Sequence, residues 1–232
     1  MWLFLFSCLM SMEVDKGSTI VSFESKSLPS CNQKIEVGLG SSVKIGFEIP
    51  DIGGGWGSGN YFKLGKYKFI ITAAHVVEEA GDLFAIDGGE RVPVKVIYSN
   101  AYRDIAIVVP EWDLEEVHPK NLKINTDENL VGEVINYTGY PSDLGKSTYV
   151  GYVSKNDHRA VIVQSFALPG SSGSVVFDRK GRAIGVVSAV KVSETVLSPF
   201  PELVESLVFV ERFSFLNKKF LKEVFMDGSR GI

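Results

Sequence analysis

The chain of 232 residues has little cysteine, no excess of basic residues and no apolar run long enough to span a membrane. Its two cysteines are Cys8 and Cys31, and Cys8 lies in an apolar stretch, so a disulfide framework is not expected. The net charge is −4 and Lys and Arg are evenly scattered, which argues against a nucleic-acid partner. No group of His, Cys and acidic residues has the spacing of a zinc site, so we expect no metal or other cofactor.

The apolar stretch at residues 2–10 has two interpretations. It resembles the core of an export signal, although no Lys or Arg precedes it and no clear cleavage site follows. It also fits a buried or frayed N-terminus. The sequence therefore leaves open whether the protein is exported or membrane-associated, or instead cytoplasmic or virion-associated. It leaves the oligomeric state open as well.

Short runs with alternating apolar and polar residues, separated by turn signals, fill most of the chain after a polar, Ser-rich segment. This pattern is typical of an all-β barrel or sandwich. The runs include a predicted strand at residues 34–37. Residues 51–60, with their five glycines, are interpreted as a flexible approach to the next strand. After Ser214, a plausible N-cap, apolar residues recur at steps of three and four and predict a C-terminal helix.

Three residues supply the groups that nucleophilic catalysis needs. His75 closes an apolar run, Asp104 opens another, and Ser172 lies in a Gly-rich turn. A serine hydroxyl is a weak nucleophile at neutral pH, so it needs an imidazole to take its proton and a carboxylate to orient that imidazole. Taken singly, each residue has an ordinary structural interpretation, as a core histidine, a solvated acid or a turn serine. Together they predict a His-Asp-Ser triad.

The segments around these residues resemble the three motifs of the trypsin-like serine peptidases. They are residues 72–75 (Thr-Ala-Ala-His), 104–107 (Asp-Ile-Ala-Ile) and 170–174 (Gly-Ser-Ser-Gly-Ser), and the likeness extends from about residue 53 to the end of the chain. The resemblance implies an all-β fold of two six-stranded antiparallel β-barrels, the chymotrypsin-like double barrel, with a C-terminal α-helix.

The resemblance also assigns roles to residues. His75 is expected to be the general base, Asp104 its orienting acid and Ser172 the nucleophile. The oxyanion hole is expected at Gly170, Ser171 and Ser172, with the N–H groups of Gly170 and Ser172 as donors.

The expected organisation has three parts. Residues 1–33 form an apolar N-terminal segment and a polar linker. Residues 34–128 form an N-terminal barrel that carries the histidine and aspartate. Residues 129–232 form a C-terminal barrel that carries the nucleophile and the specificity pocket, followed by the terminal helix.

Substrate-binding residues are inferred by position within the family. The strand that contains Ser188, Ala189 and Val190 resembles the one that pairs with the substrate backbone, and Ser188 is also a candidate donor to the Asp104 carboxylate. Phe166, Ala189 and Val190 are expected to line the specificity pocket. No acidic residue stands at its expected base, so a basic substrate side chain would be buried without a counter-charge. Small or aliphatic residues are therefore expected at the cleaved position.

A closer likeness is to the protease domain of the Deg/HtrA group, carried by residues 139–145 and 181–186. The chain departs from that group at Ser171, where an Asn is usual, and at Ser174, where a second Gly is usual. No PDZ domain is expected after the helix. The resemblance implies a serine endopeptidase that acts on a protein or peptide substrate. The alternative is a protease-fold binding or structural protein, for example a viral component, that lacks turnover.

Overall fold

The computed structural model describes residues 29–49, 53–78, 81–193 and 202–228. The apolar stretch predicted at the N-terminus lies outside these residues. Within them no helix is both long and apolar enough to cross a membrane.

Six antiparallel strands form the first barrel, in the order β1-β4-β5-β6-β3-β2, and a β1–β2 pairing closes it. The strands are β1 (Ser42–Ile49), β2 (Gly53–Leu64), β3 (Tyr67–Thr72), β4 (Asp82–Asp87), β5 (Glu90–Asn100) and β6 (Ile105–Pro110). A two-residue strand, β7 (Lys120–Asn121), adds in parallel to β2. In β6 the residues Ile105 to Val108 are all buried, as their unbroken apolar run requires.

The second barrel is also closed and antiparallel, in the order β10-β13-β12-β11-β8-β9. Its strands are β8 (Val134–Gly139), β9 (Ser147–Asn156), β10 (Ala160–Gln164), β11 (Val175–Asp178), β12 (Ala183–Ser193) and β13 (Glu202–Arg212). The prediction of two six-stranded antiparallel barrels followed by a helix is confirmed. The division of the chain at residues 128 and 129 stays a prediction.

The Gly-rich segment is a strand and not a flexible approach. Residues 53–60 pair with all of β1, from Ser42↔Asn60 to Ile49↔Gly53. A Cβ on Gly55 would come within 2.6 Å of the Phe47 ring, so the missing side chain lets that ring pack against the strand. Cross-strand pairing and close packing therefore override the low strand propensity of glycine.

The two ends of the described chain are helices. Helix α1 (Pro29–Ser41) takes the place of the strand expected at residues 34–37 and of the last residues, 29–33, of the expected linker. Helix α2 (Lys218–Gly228) confirms the predicted terminal helix, but its cap is Asn217 and not Ser214: Asn217 Oδ1 accepts the Phe220 N–H at 2.9 Å.

An apolar cluster joins the two barrels and the C-terminal helix. It combines the first-barrel residues Phe69 and Ile107 with the second-barrel residues Val186 and Phe177. From α2, Phe225 stacks on Tyr67 with ring centroids 4.5 Å apart and an interplanar angle of 5°. The barrels are thus packed against each other, which fixes how residues at their rims face one another.

Candidate active site

His75 lies just beyond the end of β3, in a 3-10 turn at Ala74–Val76. The preceding residues Ile70 to Ala74 are fully buried, which anchors the turn to the first barrel. The His75 side chain remains 47% exposed. A ring anchored at its backbone and open to solvent on its outer side can exchange protons with a bound molecule.

Asp104 is held in an unusual backbone conformation directly before β6. Its φ is 44°, in the left-handed region, where it ends a 3-10 turn at Ala101–Arg103. Asn100 fixes the start of that turn by accepting the Arg103 N–H at 2.9 Å. Non-glycine residues rarely adopt positive φ, and such strain persists where surrounding contacts define the conformation.

The Asp104 carboxylate faces the His75 ring and is only 16% exposed. His75 Nδ1 lies 2.9 Å from both carboxylate oxygens, and the His75 backbone N–H donates to Oδ1 at 3.0 Å. The Ser188 hydroxyl donates to Oδ2. Since an ionised carboxylate only accepts hydrogen bonds, the ring proton resides on Nδ1 and Nε2 is left to accept a proton.

These contacts shift the pKa values of both His75 and Asp104. The hydrogen bond to Asp104 raises the pKa of His75 above its ordinary value, and this outweighs the opposing effect of burial. Burial alone would raise the pKa of Asp104, but the hydrogen bonds from His75 and Ser188 outweigh it and hold that pKa below its ordinary value. The pair therefore stabilises a charged imidazolium beside a charged carboxylate.

Ser172 lies in the loop between β10 and β11, between two glycines with positive φ, Gly170 at 91° and Gly173 at 88°. Its carbonyl accepts the Ser58 N–H at 2.7 Å. A Cβ on Gly57 would lie 2.6 Å from Val76 Cγ2 and 3.0 Å from the Ser172 carbonyl. The missing side chain of Gly57 thus lets the residue after His75 and the Ser172 loop meet across β2.

Ser172 is not hydrogen-bonded to His75 in the way that Asp104 is. Both residues are described, and no hydrogen bond joins the His75 ring to the Ser172 hydroxyl. Such contacts are often long in unliganded enzymes and shorten when substrate binds. The structure therefore joins the histidine, the aspartate and Ser188 by hydrogen bonds, and no described hydrogen bond joins Ser172 to them.

The backbone of the Ser172 loop divides its N–H groups into two kinds. The Ser171 N–H donates to the Leu168 carbonyl at 2.9 Å, so it is already engaged. In the described part of the chain, the N–H groups of Gly170 and Ser172 donate to no protein acceptor. Two unengaged donors beside a serine hydroxyl are what an oxyanion hole requires.

Phe166 is 40% exposed and begins an aromatic row. Its ring lies 6.0 Å from that of Tyr149, which in turn lies 5.3 Å from that of Tyr137, and the Tyr137 hydroxyl donates to the Phe166 carbonyl. Across the register shift in β12 between Val187 and Ala189, the intervening Ser188 reaches Asp104. The backbones of Ala189 and Val190 pair with β13, but their side chains lie outside the description, so their role in the pocket stays a prediction.

The sequence did not predict a cavity that borders Gly170. It has a volume of 350 Å³ and is lined by Gly55, Trp56, Ser142, Pro169 and Gly170. None of the predicted site residues lines a larger cavity of 630 Å³, which is bordered by residues 125–126, 128–129, 131, 156–158, 212 and 214. Within the described ranges no three metal-ligating side chains cluster closely enough to hold an ion.

The family model of the trypsin-like peptidase domain matches residues 57–186. The chain belongs to the trypsin-like peptidase family. Among curated proteins, this peptidase domain is 32% identical over 147 residues to an HtrA-like serine protease of Staphylococcus epidermidis, a match over 55% of this chain and 25% of the relative. An HtrA-like serine protease of Staphylococcus aureus is 29% identical over 149 residues, or 56% of this chain and 19% of that protein.

Solved structures agree on the fold. A serine endoprotease of Yersinia pestis superposes on the trypsin-like domain with a TM-score of 0.67 at 18% identity, covering 88% of this chain and 69% of that one. A protease of M. tuberculosis in its active form gives a TM-score of 0.64 at 17% identity, covering 80% of this chain and 82% of that one. The expected likeness to the Deg/HtrA group is confirmed, and together the family and the curated relatives support serine endopeptidase activity for this domain.

Proposed function

We propose that this domain hydrolyses peptide bonds through an acyl-enzyme formed on Ser172. The observation that carries the proposal is the His75 ring, held at Nδ1 by a carboxylate and therefore able to accept a proton at Nε2. The proposed site lies where the two barrels meet, with His75 and Asp104 from residues 34–128 and Ser172 from residues 129–232. The proposed substrate is a protein or peptide.

The proposed reaction has two steps. In the first, Ser172 Oγ attacks the peptide carbonyl while its proton moves to His75 Nε2, and the Asp104 carboxylate stabilises the imidazolium. The carbonyl oxygen becomes an oxyanion that the N–H groups of Gly170 and Ser172 stabilise. His75 then gives its proton to the leaving amine, and the C–N bond breaks to leave the acyl-enzyme. In the second step water attacks the ester with His75 as base, which releases the acid and restores the hydroxyl.

A fluorophosphonate probe tests the nucleophile directly, because it phosphonylates only an activated serine. We expect wild-type protein to gain one probe adduct, located on Ser172 by peptide mass spectrometry. The Ser172→Ala variant is expected to gain none. No labelling of folded wild-type protein would contradict the proposal and favour a binding role for the fold.

The rate should follow the titration of His75. Because the hydrogen bond to Asp104 raises this pKa, the neutral base forms only at higher pH than for an ordinary histidine. We expect kcat/KM to rise with pH and to reach half its maximum above about 6.5, the ordinary histidine value. The check is kcat/KM of an uncharged peptide substrate against pH, with circular dichroism over the same range to confirm folding. A midpoint at or below the ordinary value would contradict the raised pKa.

We further propose that the enzyme prefers small or aliphatic residues on the amino side of the cleaved bond. Positions 166 and 188–190 carry no carboxylate, so a basic substrate side chain would lose its hydration without gaining an ion pair. In a peptide library, cleavage after Ala or Val is expected to exceed cleavage after Arg or Lys by at least about tenfold, a modest fraction of the penalty for a buried charge. Cleavage mainly after Arg, Glu or Phe would overturn this preference.

A further inference from the structure

Ser58 belongs to the first barrel, yet its hydrogen bonds reach into the loops around the proposed nucleophile. It lies on β2 and is fully buried. Its N–H donates to the Ser172 carbonyl at 2.7 Å, and its hydroxyl donates to the Gly170 carbonyl at 2.7 Å. The same hydroxyl accepts the Tyr140 N–H at 2.9 Å, and its carbonyl accepts the Thr72 hydroxyl at 2.7 Å. All its polar atoms are therefore engaged.

The hydroxyl and a second donor hold the two peptide units that flank Gly170. The Pro169 carbonyl, before Gly170, accepts the Ser142 N–H at 2.7 Å. The Gly170 carbonyl, after it, accepts the Ser58 hydroxyl. A peptide unit is planar and trans, so holding its carbonyl sets the direction of the N–H at its other end. The Pro169 contact therefore orients the Gly170 N–H.

Glycine is the residue at which such orientation is most easily lost. With no Cβ, its backbone adopts positive and negative φ with similar ease, and Gly170 is at 91°. The Gly170 N–H could therefore turn away from a reacting carbonyl if the loop that carries its anchor, Ser142, shifted. The Ser58 hydroxyl holds that loop by accepting the Tyr140 N–H, and it also fixes the peptide unit on the other side of Gly170.

The surroundings leave little room for a larger side chain than serine. A Cβ on Gly139 would lie 2.8 Å from Ser58 Oγ and 2.2 Å from Ser174 Oγ. A Cβ on Gly173 would lie 2.1 Å from the Ser58 carbonyl. Glycines thus let the loops close around Ser58 from two sides, and the hydroxyl is placed where only a small side chain fits.

We propose that Ser58 is a positioning residue for the oxyanion hole: its hydroxyl holds the β8-to-β9 loop at Tyr140, and the Ser142 N–H of that loop keeps the Gly170 N–H directed at the reacting carbonyl. Its bond to the Gly170 carbonyl fixes the peptide unit on the other side of Gly170. The inference rests on the proposed function of the Ser172 loop. It gives the first barrel a role in charge stabilisation in addition to supplying the base and its orienting acid.

Ser42 offers a matched control. It is also a fully buried serine of the first barrel, and its hydroxyl donates to a second-barrel carbonyl, that of Thr138, at 3.0 Å. Ser42→Ala and Ser58→Ala each delete one hydroxyl that donates to a second-barrel carbonyl, and Ser58→Ala also leaves the Tyr140 N–H without its acceptor. Only Ser58 contacts the Ser172 loop. A general loss of stability should therefore appear in both variants, whereas a loss of oxyanion stabilisation should appear in Ser58→Ala alone.

The experiment measures kcat, KM, melting temperature and the affinity for a peptide boronate, which forms a tetrahedral adduct on the active serine. We expect Ser58→Ala to lower kcat by about 10- to 100-fold with KM within twofold, since a small misplacement of a group that acts in the transition state has an effect of this size. Boronate affinity should fall by a similar factor. Ser42→Ala should change kcat, KM and boronate affinity by less than twofold.

The outcomes separate this inference from the function on which it rests. Wild-type protein that neither cleaves peptides nor reacts with a fluorophosphonate would overturn the proposed function. Active wild-type protein with a Ser58→Ala kcat within twofold of that of Ser42→Ala would overturn the positioning role alone. If Ser58→Ala does not fold, Ser58→Cys keeps the size and only a weak donor, and a kcat within twofold of wild type would equally overturn the role.

Discussion

Replacing Ser172 by alanine is expected to lower kcat for peptide hydrolysis by at least about 10⁴-fold, equivalent to about 5 kcal/mol of transition-state stabilisation. The variant keeps both unengaged N–H groups of the loop but loses the atom that forms the acyl-enzyme. Only direct attack by water then remains, with the oxyanion hole and substrate binding still in place. Since the Ser172 hydroxyl has no hydrogen bond in the described structure, its removal should leave the melting temperature nearly unchanged.

Ser174→Ala is the matched control for this prediction. Ser174 lies two residues away, is fully buried, and its hydroxyl has no hydrogen-bond partner among the described residues. A buried hydroxyl without a partner destabilises the fold, so its removal should keep the activity and leave stability equal or slightly higher. Turnover and single-turnover acylation should be measured for both variants. Full activity in Ser172→Ala, or a probe adduct on Ser174, would refute the assignment of the nucleophile.

The sequence could predict those strands whose residues form a recognisable apolar pattern along the chain. The strand after Asp104 is an unbroken apolar run and the strand before His75 contains one at Phe69 to Ile71, so the burial of these segments and the rim positions of the two side chains follow from the sequence. Helix α1 could not be predicted in this way, because Gly38 and Gly40 disfavour a helix in isolation. It is held by contacts distant in sequence, such as the Asn60 amide donating to Ser41 Oγ at 2.9 Å.

The hydrogen bonds that shape the nucleophile loop are equally distant in sequence. Ser58 and Gly170 are 112 residues apart, and no local pattern links them. The segment that contains Ser58 suggested flexibility through its glycines, whereas those glycines permit close approach of the Phe47 ring and of the Ser172 carbonyl. A glycine-rich composition indicates backbone freedom. Only the tertiary structure shows that neighbouring atoms occupy the space that a side chain would take at these positions.

Replacing Asp104 by asparagine is expected to lower kcat at neutral pH by about 10⁴-fold. The carboxylate accepts the Nδ1 proton of His75, and an asparagine side chain can instead present its NH₂ to Nδ1. The ring would then carry its proton on Nε2, where it cannot take one from Ser172. Asparagine suits the test because it, too, tolerates the left-handed backbone at φ 44° and has nearly the same size.

The pH dependence distinguishes this loss from a general distortion. The hydrogen bond to Asp104 is the main cause of the raised His75 pKa, so the remaining activity of Asp104→Asn should titrate with a lower midpoint than wild type. Ser188→Ala removes one donor to the carboxylate and leaves its contacts with His75 intact, so its kcat should fall by at most about 150-fold, in line with the value of about 1.5–3 kcal/mol for one hydrogen bond to a charged group. The decisive measurement is kcat/KM against pH for all three proteins. Equal losses in Asp104→Asn and Ser188→Ala, or an unchanged midpoint in Asp104→Asn, would show that the aspartate does not set the tautomer and basicity of His75.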